Sequence, residues 1–194
     1  MLDPRPARDR RLVPNAPTEP AAFVRWAEGR EGRFELADGQ ITMIVGATIR
    51  HEKLVARLAY LLGAALDPAM FTVASGGLAV AVPGGIRYPD VTVHEGAFEP
   101  GDLVARRPVL VAEVLSPSSL TTDMLHKPAE YGSVETIGAY LLLAQDEPSA
   151  WLWRRGAAGF PRMPEEVFGP DAAVAPALRL ELRLADIHAG LPGG

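Results

Sequence analysis

The order of apolar and polar positions predicts alternating strands and helices. Over residues 48–66, Leu54, Val55, Leu58, Leu61, Leu62 and Ala65 recur at the helical period, and Asp67-Pro68 ends the run, so a long amphipathic helix is expected there. A shorter helix is expected over 21–28, leading through Gly29 and Gly32 to a strand at 34–36. Asp38-Gly39 lies between that strand and a second apolar run at 41–45, a two-residue signal for a β-hairpin. Short strands are expected at 71–74 and 78–82, with Gly76-Gly77 and Gly84-Gly85 as turns. Residues 88–94 read as a further strand with Pro89 near its start, where a missing N–H is tolerated.

Residues 109–115 form a continuous apolar run broken by one acid, Glu113, as expected of a strand buried on both faces. A helix beginning after Ser116-Pro117 should continue through Tyr131. It is followed by a buried strand at 139–144, an exposed strand at 150–154, and peripheral strands and turns through 178–187. The fold class is therefore α/β, a mixed sheet flanked by helices.

Composition narrows the function classes. The 194 residues carry a formal net charge of −5, are 48% hydrophobic and 22% charged, and contain no cysteine. Disulfide frameworks, thiolate metal sites and cysteine nucleophiles are excluded, which fits a reducing cytoplasm. The longest apolar stretch, near 137–144, falls far short of the ~20 residues of a membrane span. Residues 1–20 hold five prolines and four arginines and read as a flexible arm, leaving 21–194 as one domain. Among the 19 basic residues only Lys53 and Lys127 are lysines. Unlike arginine, a lysine can have its proton affinity tuned within a site, so an isolated one near carboxylates suggests chemistry.

Glu113 poses the sharpest physical problem. An unpaired carboxylate among apolar strand residues carries a desolvation penalty of several kcal/mol, so it requires a basic side chain, a divalent cation or a proton. Strand alternation places it on one face with Val109, Val111 and Leu115. Asp90, at the start of the neighbouring strand, is its natural companion, and two such acids repel unless a positive charge sits between them. Hard oxygen donors of this kind suit Mg2+ or Mn2+ and phosphoryl chemistry. Asp123, Lys127 and Tyr131 recur every fourth residue and share one helical face that can fold back over the strand end. The bland alternative for Lys127 is a surface ion pair with Asp123 worth about 0.3 kcal/mol. Pro128, directly after it, is expected to kink the helix.

Other motifs carry less. Ser116, Ser118 and Ser119 lack the flanking glycines of a nucleophile elbow. His94 lies on the face of Asp90 but ~13 Å along the strand, too far to bind the same ion. Arg106-Arg107 and Arg154-Arg155 are either phosphate contacts or ordinary surface arginines. His51, in the first turn of the long helix, reads as a partly buried histidine bonded to backbone.

Taken together, Arg87-Tyr88-Pro89-Asp90-Val91, then Val111-Ala112-Glu113-Val114-Leu115-Ser116-Pro117-Ser118, then Asp123, Lys127 and Tyr131, resemble the putative restriction-endonuclease family of the PD-(D/E)XK nuclease superfamily. Phe34-Glu35-Leu36-Ala37-Asp38-Gly39 and the following His51 resemble that family's entry segment, so the likeness spans roughly residues 20–155. It implies a restriction-endonuclease-like mixed sheet flanked by helices, with an N-terminal hairpin and peripheral C-terminal strands. It also implies Asp90 and Glu113 as ligands of Mg2+ or Mn2+, and hydrolysis of phosphodiester bonds in DNA. The superfamily's usual lysine two residues after the acid is replaced here by Leu115, and the resemblance assigns that role to Lys127. Glu35 is the candidate third carboxylate, with pairing to Arg33 as its alternative. His51, Arg87 and Tyr131 are weaker substrate-binding candidates. A homodimer is expected, because one site cuts one strand. The rival expectation is a catalytically inactive nuclease-like module that binds nucleic acid or a protein partner.

Overall fold

The computed structural model describes residues 9–13, 16–116 and 120–191. The first half of the chain forms strand β1 (Asp9–Leu12), helix α1 (Pro20–Ala27), the hairpin β2 (Arg33–Ala37) and β3 (Gln40–Val45), and helix α2 (Ile49–Ala65). Strands β4 (Phe71–Ser75), β5 (Val80–Val82), β6 (Gly85–Arg87), β7 (Val91–Glu95) and β8 (Pro108–Val114) follow. A π-helical turn (Thr122–His126) then runs into helix α3 (Lys127–Gly132). The chain continues with β9 (Ala139–Leu143), β10 (Ser149–Arg154), β11 (Glu165–Phe168), β12 (Ala173–Ala177), β13 (Leu180–Arg183) and helix α4 (Leu184–Ile187). No helix among the described residues is long and apolar enough to cross a membrane.

Six strands form the main sheet in the order β11-β10-β9-β8-β7-β4. Only β8 and β9 run parallel, joined by the crossover that contains α3. Every residue of β8 is buried, because both faces of this central strand are covered. On one face Leu110, Ala112 and Val114 pack with Leu54, Val55, Leu58 and Leu62 of α2 and with Leu184 and Ile187 of α4. On the other, Val111 packs with Tyr131, Tyr140, Leu142, Trp153 and the β5 residues Val80 and Val82. Val109 belongs to the first cluster, not to the face of Val111 and Glu113 as simple alternation predicts. A register irregularity between Val93 and His94 interrupts the alternation there.

A second sheet, in the order β1-β3-β2-β6-β5, stands against the site face of the first. Its hairpin turns at Asp38-Gly39, both with positive φ, which gives the primed turn the dipeptide predicts. The joint between β2 and β6 depends on Gly85, where a Cβ would stand 2.2 Å from the backbone oxygen of Leu36. Here glycine is required by close backbone approach, and Gly85 is part of a strand as well as a turn neighbour.

Of residues 1–20, where an arm is expected, residues 1–8 and 14–15 lie outside the described residues, and Asp9–Leu12 pairs antiparallel with β3, since the free edge of the hairpin offers a row of unpaired backbone groups. Two further expectations are corrected. Residues 150–154 are mostly buried, because β11 covers that edge and Trp153 stacks on Tyr140 with ring centroids 5.3 Å apart. Pro128 does not break the helix: Lys127 keeps helical angles (φ −59°, ψ −34°), and its N–H donates to Thr122 five residues back. The widened turn leaves room for a proline that has no N–H to give. The helix start expected at Pro117-Ser118 lies outside the described residues.

Candidate active site

Strand pairing brings the two acids together. Val91 lies opposite Ala112, so continuing the antiparallel register by one step sets Asp90 opposite Glu113 on the same face. Asp90 stands at the rim just before β7, where one carboxylate oxygen, Oδ2, accepts from the Val114 backbone N–H at 2.9 Å. The same oxygen lies 3.0 Å from His51 Nε2, at the start of α2. A carboxylate only accepts, so the imidazole donates from Nε2. His51 therefore reaches one of the acids through its ring. Its backbone N–H is bound separately by the N-cap Thr48 Oγ1 at 3.1 Å.

Glu113 is approached from α3. Lys127 Nζ donates to Glu113 Oε1 at 2.5 Å, and the Tyr131 hydroxyl donates to the same oxygen at 3.0 Å. Oε2 accepts no hydrogen bond among the described residues. Lys127 Nζ also lies 2.9 Å from Asp123 Oδ1 and 3.9 Å from Glu35 Oε1. The helical period that aligns Asp123, Lys127 and Tyr131 thus aims all three inward, and each is buried. An exposed Asp123–Lys127 surface pair is not what forms. Lys53, the other lysine, binds the Gly190 carbonyl at 2.7 Å away from the acids.

Glu35 is positioned by the hairpin and held by Arg87, whose NH1 donates to Oε2 at 3.3 Å. The rest of the Arg87 guanidinium is taken by Glu130, through bonds of 2.7 and 2.6 Å from Nε and NH2. Arg87, expected as a substrate contact, is turned inward and only 3% exposed. Its fork instead fixes two carboxylates beside the site. The remaining arginine candidates are also engaged: Arg106 with Asp102, Arg107 with Glu95, and Arg154 with Glu165. Arg155 donates to the carbonyls of Gly132, Val134 and Ile137, closing the end of α3. His94 is buried farther along β7, beside Thr72 and Ala74, and does not join the acids.

The charge balance is unusual for an interior. Glu35, Asp90, Glu113 and Asp123 are each no more than 2% exposed, whereas the comparably buried cations are Lys127 and Arg87. At the margin, Arg33 and Glu130 offset each other, so with the four carboxylates ionised the excess is two negative charges when His51 is counted neutral and one when it is counted charged. Burial pushes Glu113 up to about 7, with Asp90, Asp123 and Glu35 adding to the rise and the Lys127 ammonium opposing it. For Lys127, burial disfavours the charge, but Glu113, Asp123 and Glu35 outweigh it and hold the ammonium above its ordinary range. Burial, reinforced by Glu113, likewise lifts the Tyr131 phenol, which stays a donor.

The two facing hard carboxylates, Asp90 and Glu113, within a cluster that carries more acid than base, are a donor type suited to one Mg2+ or Mn2+ ion. Among the described residues no group of three or more histidine or acidic side chains is placed to hold a metal ion; an ion at Asp90 and Glu113 would take its remaining positions from water and phosphate oxygens.

The profile of the family described as "Uma2: Putative restriction endonuclease" matches residues 20–186. The chain belongs to this family. A curated relative, an uncharacterized protein of Synechocystis sp. (strain PCC 6803), is 28% identical over 155 residues, covering 75% of this chain and 80% of its own length. Among solved structures, a "putative nuclease belonging to DUF820" from Anabaena variabilis superposes with a TM-score of 0.67 at 18% identity. The superposition covers 87% of this chain and 96% of the other, and shows a shared fold. The chain's place in this restriction-endonuclease family and its mixed α/β architecture are thus established.

Within this family frame, two residues near the site carry no role that the sequence pattern assigns. Asp123 stands in the motif shared with the family and is legible only as a helical neighbour or ion-pair partner of Lys127, although its carboxylate is as buried as Glu113. Arg33 was considered only as a partner for Glu35, yet its NH2 lies 3.9 Å from Asp90 Oδ1. The available signal was period two on β2, which puts Arg33 and Glu35 on one face.

Proposed function

We propose that the protein hydrolyses phosphodiester bonds in DNA with Mg2+ or Mn2+, and that residues 21–194 act as one nuclease-like domain. The observation that supports this reading best is the facing pair Asp90 and Glu113, buried on one sheet face with Lys127 against the second acid. Asp90 and Glu113 would hold the ion, Glu113 through the oxygen that neither Lys127 nor Tyr131 uses. When bound, the ion supplies Lewis-acid polarisation of a phosphoryl oxygen.

The protein's own groups do the rest. The Lys127 ammonium orients an attacking water or stabilises the negative charge that grows on the phosphoryl oxygens. Asp123 and Glu35 keep that ammonium charged and within reach once Glu113 is shared with an ion. Tyr131 fixes the Glu113 rotamer, His51 fixes that of Asp90, and the Arg87 fork fixes Glu35. Cutting both strands of a duplex requires a second copy of the site, so a homodimer belongs to this reading.

Incubation of supercoiled plasmid with the purified protein tests it. Nicking should require Mg2+ or Mn2+, and Glu113→Gln and Asp90→Asn should each lower the rate on the order of 100-fold or more. Equal cleavage by these variants contradicts the assignment.

A second reading, a catalytically inactive nuclease-like module, is favoured by one observation. Lys127 and Tyr131 already satisfy Glu113 Oε1, and the superfamily's usual lysine position is Leu115. Absence of both Mn2+ binding in the millimolar range and cleavage selects this second reading.

A further inference from the structure

Arg33 contrasts with Arg87. The Arg87 fork makes two bonds of 2.6 and 2.7 Å to one carboxylate. The Arg33 guanidinium has no comparable partner: its hydrogen bond, from NH2 to the Tyr88 carbonyl, is 3.5 Å long, and its buried Nε is without one among the described residues. Asp90 Oδ1, at 3.9 Å, is beyond hydrogen-bonding distance. The side chain is 37% exposed, so solvent-borne groups can reach it. A delocalised cation with five donors so weakly engaged, beside a proposed metal ligand, is poised for an oxyanion.

The space for that oxyanion is present. A cleft of about 320 Å3 opens beside Arg33, between the end of α1, the start of β2, the Gly76-Gly77 turn and Tyr88. This lies at the small end of the ~300–1,000 Å3 of small-molecule pockets. Val24, Phe34 and Leu103 supply an apolar wall, and the half-buried Tyr88 stands near Arg33. Glu28, also on the lining, repels anions, which directs a phosphate to the Arg33 side. Arg33 and Glu35 project from the same face of β2, two residues or ~7 Å apart, while Phe34 of the cleft wall faces the other way with Val24, so Arg33 is the residue that joins the cleft to the Lys127 centre.

We infer that this cleft is a nucleotide subsite, in which Arg33 grips the phosphate next to the one being cleaved while the sugar and base rest against Tyr88 and the apolar wall. The inference rests on the nuclease reading and adds to it a place for the substrate strand. A mainly apolar wall accepts any base, so the subsite positions the strand without reading its sequence.

The test is an amide-resolved NMR titration of the full chain with thymidine 5′-monophosphate, and with thymidine as the phosphate-free control, run alongside plasmid nicking. The nucleotide should shift the Gly32, Gly76 and Gly77 amides. Arg33→Ala should weaken binding by about 10-fold or more, Arg33→Lys by less, and Glu113→Gln should leave binding in place. Ala27→Phe, which fills the cleft from α1 and keeps the Arg33 side chain, should also weaken binding, and both Arg33→Ala and Ala27→Phe should raise KM for nicking. Equal binding of thymidine and its monophosphate, or binding unaffected by Arg33→Ala, overturns the subsite. Arg33-dependent nucleotide binding without any nicking retains the subsite and removes the hydrolase. Nicking with wild-type KM in both variants does the reverse.

Discussion

The two faces of β8 are built from one heptapeptide and serve opposite ends. Toward α2, Leu110, Ala112 and Val114 join a wholly apolar cluster with Leu54, Leu58 and Leu62. Toward α3, the same strand places Glu113 beside Lys127, with Asp90, Asp123 and Glu35 close by. The first face gains free energy from each methylene withdrawn from water, about 0.8 kcal/mol apiece. The second incurs a desolvation cost that its ion pairs only partly return. The difference shows what the apolar face is for: it supplies the stability that allows a surplus of buried acid to persist on the other side.

Substitutions on each face sharpen that contrast. Lys127→Met leaves Glu113 without its cation and should cost about 3–5 kcal/mol in urea unfolding, the penalty of an uncompensated buried charge. Combining it with Glu113→Leu should recover much of that loss, and a double variant no more stable than Lys127→Met would show that the pair is not the source of the cost. On the opposite face, Leu58→Ala should destabilise by about 3 kcal/mol through a cavity. Its folded fraction should retain the wild-type nicking rate, and a selective loss of activity would break the separation between faces.

A smaller effect is expected at the joint that sets the second sheet against the site. Gly85→Ala forces a methyl onto the Leu36 carbonyl and should cost about 1–3 kcal/mol, with loosening of the Glu35–Arg87 bond as well. Unchanged thermal stability would mean that the two sheets tolerate separation. Thr48→Ala should have the least effect, about 1 kcal/mol, by removing the acceptor for the His51 N–H at the start of α2. A larger loss of activity than of stability would assign His51 a greater part in holding Asp90.

Local patterns made much of this legible. Helix α2 follows from the spacing of its leucines, the hairpin from Asp38-Gly39, and the central strand from an apolar run whose one acid also marks the site. The pairing of Asp90 with Glu113 could be anticipated because both lie on strands expected to be neighbours. What escaped depends on distant partners. Strand β6 is three residues long and defined by how closely Gly85 approaches Leu36, 49 positions earlier in the chain. The burial of β10 is conferred by β11, a short strand with three of its four residues exposed, which alternation hardly distinguishes from loop. The π-turn before α3 reverses the ordinary reading of Lys127-Pro128, and the weak engagement of Arg33 emerges only once Tyr88 and Asp90 are seen around it.

Titration calorimetry with Mn2+ on the wild type, Asp90→Asn and Glu113→Gln tests most directly whether the buried acids exist to receive a divalent ion. One ion should bind per wild-type chain, and each variant should bind it at least about 10-fold more weakly. Wild-type affinity in both variants, or no heat from any of the three at millimolar Mn2+, would contradict the account.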